Sequence, residues 1–114
     1  MHAAPDQPIA VFITTPNKEE ASRLADMLVE RKLAACVQIL PAIESVYRWQ
    51  GKIERQAEVL LIAKTVAAKF AELEREVRAL HSYETPEIVA LDIAAASGPY
   101  LAWLNSVLKS TNGL

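Results

Sequence analysis

Cysteine and glycine are scarce in this chain of 114 residues, and each scarcity excludes a class of protein. One cysteine, Cys36, cannot build an intrachain disulfide framework or a cysteine-based zinc ribbon. Three dispersed glycines cannot form a glycine-rich loop that cradles phosphates. The sequence therefore lacks the motifs of dinucleotide-binding, P-loop and zinc-ribbon proteins.

An excess of one charge and long apolar runs are also missing. Twelve Lys and Arg oppose fourteen Asp and Glu, so the net charge of -2 provides no basic surface for nucleic acid. No apolar run reaches the ~18 residues of a membrane helix. The first residues lack the basic and apolar stretches of a signal peptide. Together with the lone Cys36, these features favour a cytoplasmic protein with no nucleic-acid partner and no membrane span.

What the chain does contain is regular apolar periodicity, which predicts the element order βαββαβ followed by a C-terminal helix. The predicted elements are strand 9–15, helix 18–31, strand 34–49, strand 52–65, a helix marked by apolar residues from Val66 to Leu80, strand 88–93 and helix 100–108. This order is typical of an α+β ferredoxin-like sandwich, with an antiparallel sheet carrying both main helices on one face. Residues 1–8 are expected to be a flexible tail and residues 9–114 a single domain.

Local signals refine this prediction. The apolar runs 9–15 and 59–63 predict strands that are buried on both faces. Pro41 predicts a bulge within the second strand, because proline cannot donate a ladder hydrogen bond. Asn17 is expected to cap the first helix, with Glu20 at the capping-box position.

The two central strands are long for so small a domain, and Gln50-Gly51 predicts that they form one hairpin. Such a hairpin would project beyond its own domain and expose strand edges, which invites pairing with another copy of the chain. Its tip gathers candidate ligand or interface residues: Tyr47, Trp49, Lys52 and Glu54. Stabilising cross-strand packing is the alternative interpretation of the aromatic residues.

The segment 81–87 concentrates the polar chemistry of the chain. His81, Glu84 and Glu87 are candidate ligands of a divalent transition metal such as Cu²⁺, and Tyr83 is a further ligand or interface candidate. The alternative is an ordinary turn after a helix that ends in a histidine. This prediction assumes an exposed His81 imidazole. Cys36 lies among apolar residues and is expected to be inert core packing, and His2 at the amino terminus is a rival copper ligand.

Several sequence pieces, in their order, resemble the CutA proteins, the divalent-ion tolerance family. The pieces are Lys32–Val37, Tyr47–Glu54, Glu58–Thr65, Tyr83–Ile88 and Tyr100–Leu104. The resemblance implies a ferredoxin-like fold, a tight cytoplasmic homotrimer, an architecture similar to the PII signalling proteins and a link to copper tolerance. Of a cysteine-plus-two-histidine copper set, whose cysteine and second histidine occur in some members of the family, only His81 carries over, because Ile13 and Leu80 occupy the other two positions.

The function predicted from these features is a trimeric protein of divalent metal tolerance that binds a metal ion or small ligand at subunit clefts. No cofactor is required by the prediction, although Cu²⁺ or another divalent cation is a possible ligand. The alternative is a signalling or anchoring scaffold like the PII proteins. An enzyme with Glu84 or Glu87 as general base is disfavoured, because no activated nucleophile or acid–base pair is evident.

Overall fold

The structure, a computed structural model, describes residues 4–109 and contains one four-stranded sheet in the order β2-β3-β1-β4. The elements in chain order are β1 (Pro8–Thr15), α1 (Lys18–Glu30), β2 (Cys36–Trp49), β3 (Lys52–Val66), a 3₁₀ turn (Ala67–Lys69), α2 (Phe70–Leu80), β4 (Ile88–Asp92) and α3 (Gly98–Lys109). All neighbouring strands pair antiparallel. The predicted α+β ferredoxin-like order with a C-terminal helix is confirmed.

The main core lies between the sheet and the helices α1 and α2. Alternate residues of the two central strands face it, among them Val11, Ile13 and Leu61, each with no exposed surface. Leu24 and Leu28 of α1 and Leu73 and Val77 of α2 complete the cluster at helical spacing. This packing places the carboxyl end of α2, and the loop that follows it, beside the end of β1.

The opposite face of the sheet is only partly covered, which corrects the prediction of strands buried on both sides. Phe12, Leu60 and Ile62 are partly exposed there, whereas their neighbours along each strand are buried. Helix α3 covers one end of this face, where Leu104 and Leu108 pack against Ala35 and Val66 in a second cluster. The continuous apolar runs therefore predicted burial on both faces of these strands, whereas the single chain buries only one face completely.

The β2–β3 ribbon continues beyond the sheet as a two-stranded hairpin arm, residues 43–58. Strand β1 ends at Thr15, opposite Val59, so the arm has only its own two strands. A register shift between Leu40 and Ile43 marks the bulge that Pro41 predicts. The turn has φ of 51° at Gln50 and 80° at Gly51, as a two-residue hairpin of the primed type requires.

The amino-terminal residues of the described chain are bound to the sheet. Pro8 begins β1, and the carbonyls of Pro5 and Gln7 accept hydrogen bonds of 2.9 Å from the backbone N–H groups of Ala68 and Ala67. The predicted tail, residues 1–8, overlaps the start of β1 at Pro8, and these hydrogen bonds join residues 5 and 7 to the 3₁₀ turn after β3. Residues 1–3, including His2, and residues 110–114 lie outside the described part of the chain.

Candidate functional site

His81 follows the last turn of α2, and its side chain has no exposed surface. Its Nε2 lies 2.7 Å from the backbone carbonyl of Thr14 at the end of β1. The backbone N–H of Tyr83 donates to Nδ1 at 3.0 Å. Because a carbonyl can only accept and an N–H can only donate, Nε2 donates to the Thr14 carbonyl and Nδ1 accepts from the Tyr83 N–H. The ring fastens the loop after α2 to the end of β1.

Glu20 is the second buried polar side chain of this region, with 4% of its surface exposed. Asn17 accepts a 2.8 Å hydrogen bond from the Glu20 backbone N–H, which confirms the predicted N-cap of α1. The Glu20 carboxylate does not turn back to complete a capping box. It accepts a 2.9 Å hydrogen bond from the backbone N–H of Ser82 and lies 3.2 Å from His81 Nδ1. Its place in the first turn of α1 also stabilises its negative charge.

Tyr83 joins this network to the hairpin arm. Its hydroxyl donates a 2.8 Å hydrogen bond to Oε2 of Glu58, a residue that is 8% exposed. Glu58 is the first residue of β3 past the end of β1, so Tyr83 reaches the base of the arm. Burial, the hydrogen bond to Glu58 and the charge of that carboxylate raise the pKa of the Tyr83 hydroxyl well above its ordinary value. The Tyr83 hydroxyl therefore keeps its proton and remains a hydrogen-bond donor to Glu58.

A shallow groove runs between α2 and the loop that carries Tyr83. Its volume is about 530 Å³, and it is lined by Ala71, Glu74, Arg75, Arg78, Ala79, Tyr83 and Glu84. Both arginines already pair with carboxylates: Arg78 lies 3.9 Å from Glu74, and Arg75 lies 3.7 Å from Glu76. The groove is therefore an open surface lined by the Tyr83 phenol and by both acidic and basic side chains.

Comparison with known proteins identifies the family. The model of the CutA1 divalent ion tolerance protein family matches residues 9–107, nearly the whole chain. This chain belongs to the CutA1 family. The chloroplastic CutA protein of Arabidopsis thaliana is 47% identical over 90% of this chain and 56% of its own length. The divalent-cation tolerance protein CutA of Thermus thermophilus is 50% identical over 82% of this chain and 91% of its own length.

The fold of this CutA1 family member also agrees with a solved structure. The periplasmic divalent cation tolerance protein CutA of Archaeoglobus fulgidus has a TM-score of 0.87 and 44% identity, covering 90% of this chain and 99% of that one. The chain spans little more than half the length of its plant relatives, as the 56% coverage of the Arabidopsis protein shows. Its family is named for tolerance of divalent ions and not for a catalysed reaction.

The metal ligands predicted in the CutA1 chain do not converge. Both His81 ring nitrogens have partners, so the expectation of an exposed imidazole is wrong. Glu84 and Glu87 are exposed. Within residues 4–109, no three His, Cys, Asp or Glu side chains are grouped so as to hold a metal ion. A metal at this loop would need donors from outside the described chain, or a rearrangement of His81.

The other predicted residues lie along the arm. Tyr47 pairs with Glu54 and Trp49 with Lys52, and all four are exposed. The Tyr47 hydroxyl donates a 2.8 Å hydrogen bond to Gln56. Tyr47 is also close enough to Tyr83 to contribute to its raised pKa, whereas no interaction joins Tyr83 to the tip residues Trp49 and Lys52.

Two residues of the site were missed from the sequence as functional candidates: Glu20 and Glu58. Glu58 directly precedes the apolar run Val59–Ala63, where a carboxylate is unusual and indicates a specific partner. Glu20 was assigned to helix capping, and periodicity gives no sign that its side chain reaches a loop 62 positions away.

Proposed function

We propose that this CutA1 family member is a homotrimeric, non-catalytic protein of divalent metal tolerance, which binds a metal ion or small ligand in clefts between its subunits. The observation that carries the proposal is the incomplete cover of the sheet and of the arm in a single chain. Both surfaces are of the kind that a neighbouring copy would bury.

The uncovered sheet face supports association. Leu40, Val89 and Leu91 keep 39%, 47% and 48% of their surfaces exposed, beside the partly exposed Phe12 and Ile62. A contiguous apolar area of this kind is typical of a protein interface and not of a solvated surface. Helix α3 leaves it open, because its contacts are confined to one end.

The arm supports a closed ring. The molecule measures 49 Å in its longest dimension and 24 Å in its shortest, so the arm has the reach to meet a second subunit. It exposes Val46, Trp49 and Ile53 at 52%, 56% and 61%. Three arms, each docking on the next copy, would close a ring with threefold symmetry.

The ligand is proposed to bind near the loop after α2, where such a cleft would form. Glu84 and Glu87 are exposed and offer carboxylate oxygens, and a neighbouring subunit would complete the coordination of a divalent ion. Cu²⁺ is the first ion to test, because it binds nitrogen and oxygen sites more tightly than other divalent first-row ions. The contacts of His81 assign it to the support of this loop.

Native mass spectrometry with and without Cu²⁺ tests the proposal. The expected result is a mass of three chains that takes up copper, with uptake lost in a Glu84→Gln/Glu87→Gln variant and kept in Cys36→Ser. Deletion of residues 1–3 is the control for His2. A monomer at micromolar concentration contradicts the trimer. Loss of uptake only on deletion of residues 1–3 contradicts the cleft site. A trimer that binds no ion supports the scaffold alternative.

Non-catalytic function is proposed because the described residues hold no activated nucleophile. Cys36 stands opposite Lys64 on the sheet, away from any histidine contact, and His81 is occupied. The cytoplasm is proposed as the location because the single cysteine suits a reducing compartment. None of the helices within residues 4–109 has the length and apolar character needed to cross a bilayer. Subcellular fractionation of the tagged protein checks the location.

A further inference from the structure

Two buried carboxylates in the site have unequal surroundings. Glu20 accepts a hydrogen bond from the Ser82 N–H and lies at the positive end of α1. Glu58 has one hydrogen-bond partner, the neutral hydroxyl of Tyr83. No lysine, arginine or histidine of residues 4–109 forms an ion pair with it. A carboxylate that is 8% exposed is therefore without a counter-charge.

Such an arrangement is unfavourable in an isolated chain. Burial removes the water that stabilises a carboxylate, and one phenol replaces only part of that stabilisation. Buried charges in proteins are normally paired, and removing one partner of a buried pair is strongly destabilising. The position of Glu58 therefore predicts a cation that the single chain does not provide.

The tip of the arm carries basic side chains that have no acidic partner within the described chain, the reverse of the situation at Glu58. Arg48 and Lys52 are exposed and form no ion pair within the described residues, whereas Arg55 further down the arm pairs with Glu44 at 3.4 Å. Lys52 stands opposite Trp49, which is 56% exposed, so a cation and an aromatic ring are presented together. Exposed aromatic and basic side chains in one place are characteristic of binding hot spots.

The basic side chains at the tip cannot form an ion pair with Glu58 of their own chain. Lys52 and Glu58 are six positions apart on the same extended strand, a separation of about 20 Å. A lysine side chain is far too short to span that distance. Only the arm of another copy can bring Lys52 to this carboxylate.

We propose that the Glu58–Tyr83 pair of one copy receives Lys52 from the arm of a neighbouring copy, with Arg48 and Trp49 entering beside it. The inference rests on the proposed homotrimer, and it adds which residues carry the association. Each copy donates one arm and offers one Glu58, so heterologous contacts around the proposed threefold ring would satisfy every site. The phenol of Tyr83 holds the carboxylate in place for the incoming ammonium group.

Charge-neutral variants test this contact through subunit exchange. Chains labelled with ¹⁴N and ¹⁵N are mixed, and native mass spectrometry follows the appearance of mixed trimers. Glu58→Gln keeps the size of the side chain and an acceptor for Tyr83 but removes the charge. It is expected to speed exchange by a factor of about 30 or more, as is Lys52→Gln. The double variant is expected to exchange no faster than either single variant, because both remove one shared interaction.

Glu44→Gln and Lys18→Gln are the matched controls, since both remove an exposed charge, the first of them within the arm. They are expected to leave exchange unchanged. Circular dichroism at 222 nm confirms that every variant is folded. Additive effects of Glu58→Gln and Lys52→Gln, or no effect of either, overturn the inference while the trimer stands. A wild-type chain that is monomeric instead overturns the proposed function, and the inference with it.

A free cation is the competing occupant, and a second measurement separates it. The melting temperature of wild type and Glu58→Gln is recorded with added Cu²⁺ or with spermidine. No difference between the two chains in the response to these cations is expected. If Glu58→Gln abolishes a stabilising response and leaves subunit exchange unchanged, the site takes a free cation, and the assignment to Lys52 is wrong.

Discussion

The body of the domain and the hairpin arm share the same two strands, yet different interactions hold them. Within the body, β3 lies between β1 and β2, and Leu61 has no exposed surface. In the arm, the same strand keeps only β2 beside it, and Ile53 is 61% exposed. A two-stranded ribbon is marginal in water by itself. The comparison indicates that the body is stabilised by its own core, whereas the arm has no core within the described chain.

The largest expected effect tests the core of the body. Leu61→Ala should lower the free energy of unfolding by about 2–5 kcal/mol, because it leaves a cavity in a filled interior. Ile53→Ala in the arm should lower it by a smaller amount, because Ile53 lies outside this core and is buried only where a neighbouring copy covers the arm. Urea denaturation, followed by circular dichroism at one fixed protein concentration, measures both. Equal decreases in the free energy of unfolding for the two variants would contradict the conclusion that the body and the arm are stabilised differently.

His81→Ala comes next, because it acts where the body meets the loop. The Thr14 carbonyl would lose its donor and the Tyr83 N–H its acceptor, and each unsatisfied buried group costs about 1–3 kcal/mol. A total loss near 3 kcal/mol is expected in thermal or urea unfolding. Glu84→Ala, an exposed neighbour, is the control and should change stability little. The assignment of His81 to loop support fails if the two variants are equally stable.

Tyr83→Phe tests the hydrogen bond that joins the loop after α2 to the base of the arm. The loss of its hydrogen bond to Glu58 should cost about 1 kcal/mol at neutral pH. Because the pKa of the native hydroxyl is raised, the unfolded chain ionises first. Wild-type stability should therefore fall as the pH rises above the ordinary tyrosine value of about 10. Tyr83→Phe should fall less steeply over that range. Identical alkaline slopes in urea titrations would contradict the contribution of Tyr83.

The smallest effect concerns the turn at the tip. Gly51→Ala should destabilise the arm by about 1 kcal/mol, because φ of 80° suits glycine. Gln50→Asn should stabilise it by a few tenths of a kcal/mol, since asparagine tolerates a positive φ better. Hydrogen exchange should report both changes in amides 45–56 and leave those of β1 unaffected. Equal changes in β1 would show that arm and body unfold together.

The sequence predicted the elements well, because apolar spacing, Pro41 and Gln50-Gly51 are local signals. It could not predict the burial of His81, because that depends on where the loop returns to the end of β1. Nor could it pair Tyr83 with Glu58, which are 25 positions apart in the chain. The sequence predicted that both faces of β1 are buried. An apolar residue in a sequence does not show whether it is covered by its own chain or by a second copy.

The bulge at Pro41 has a consequence for solubility during folding. Strand β2 is the longer of the two edge strands and runs for 14 residues, a length of free edge that would otherwise template the stacking of further chains. Pro41 lacks an N–H, and the register shift beside it bends the strand, so no added strand can run flat along the whole edge. The edge is divided into two short stretches, which permits finite docking and interrupts the growth of fibres.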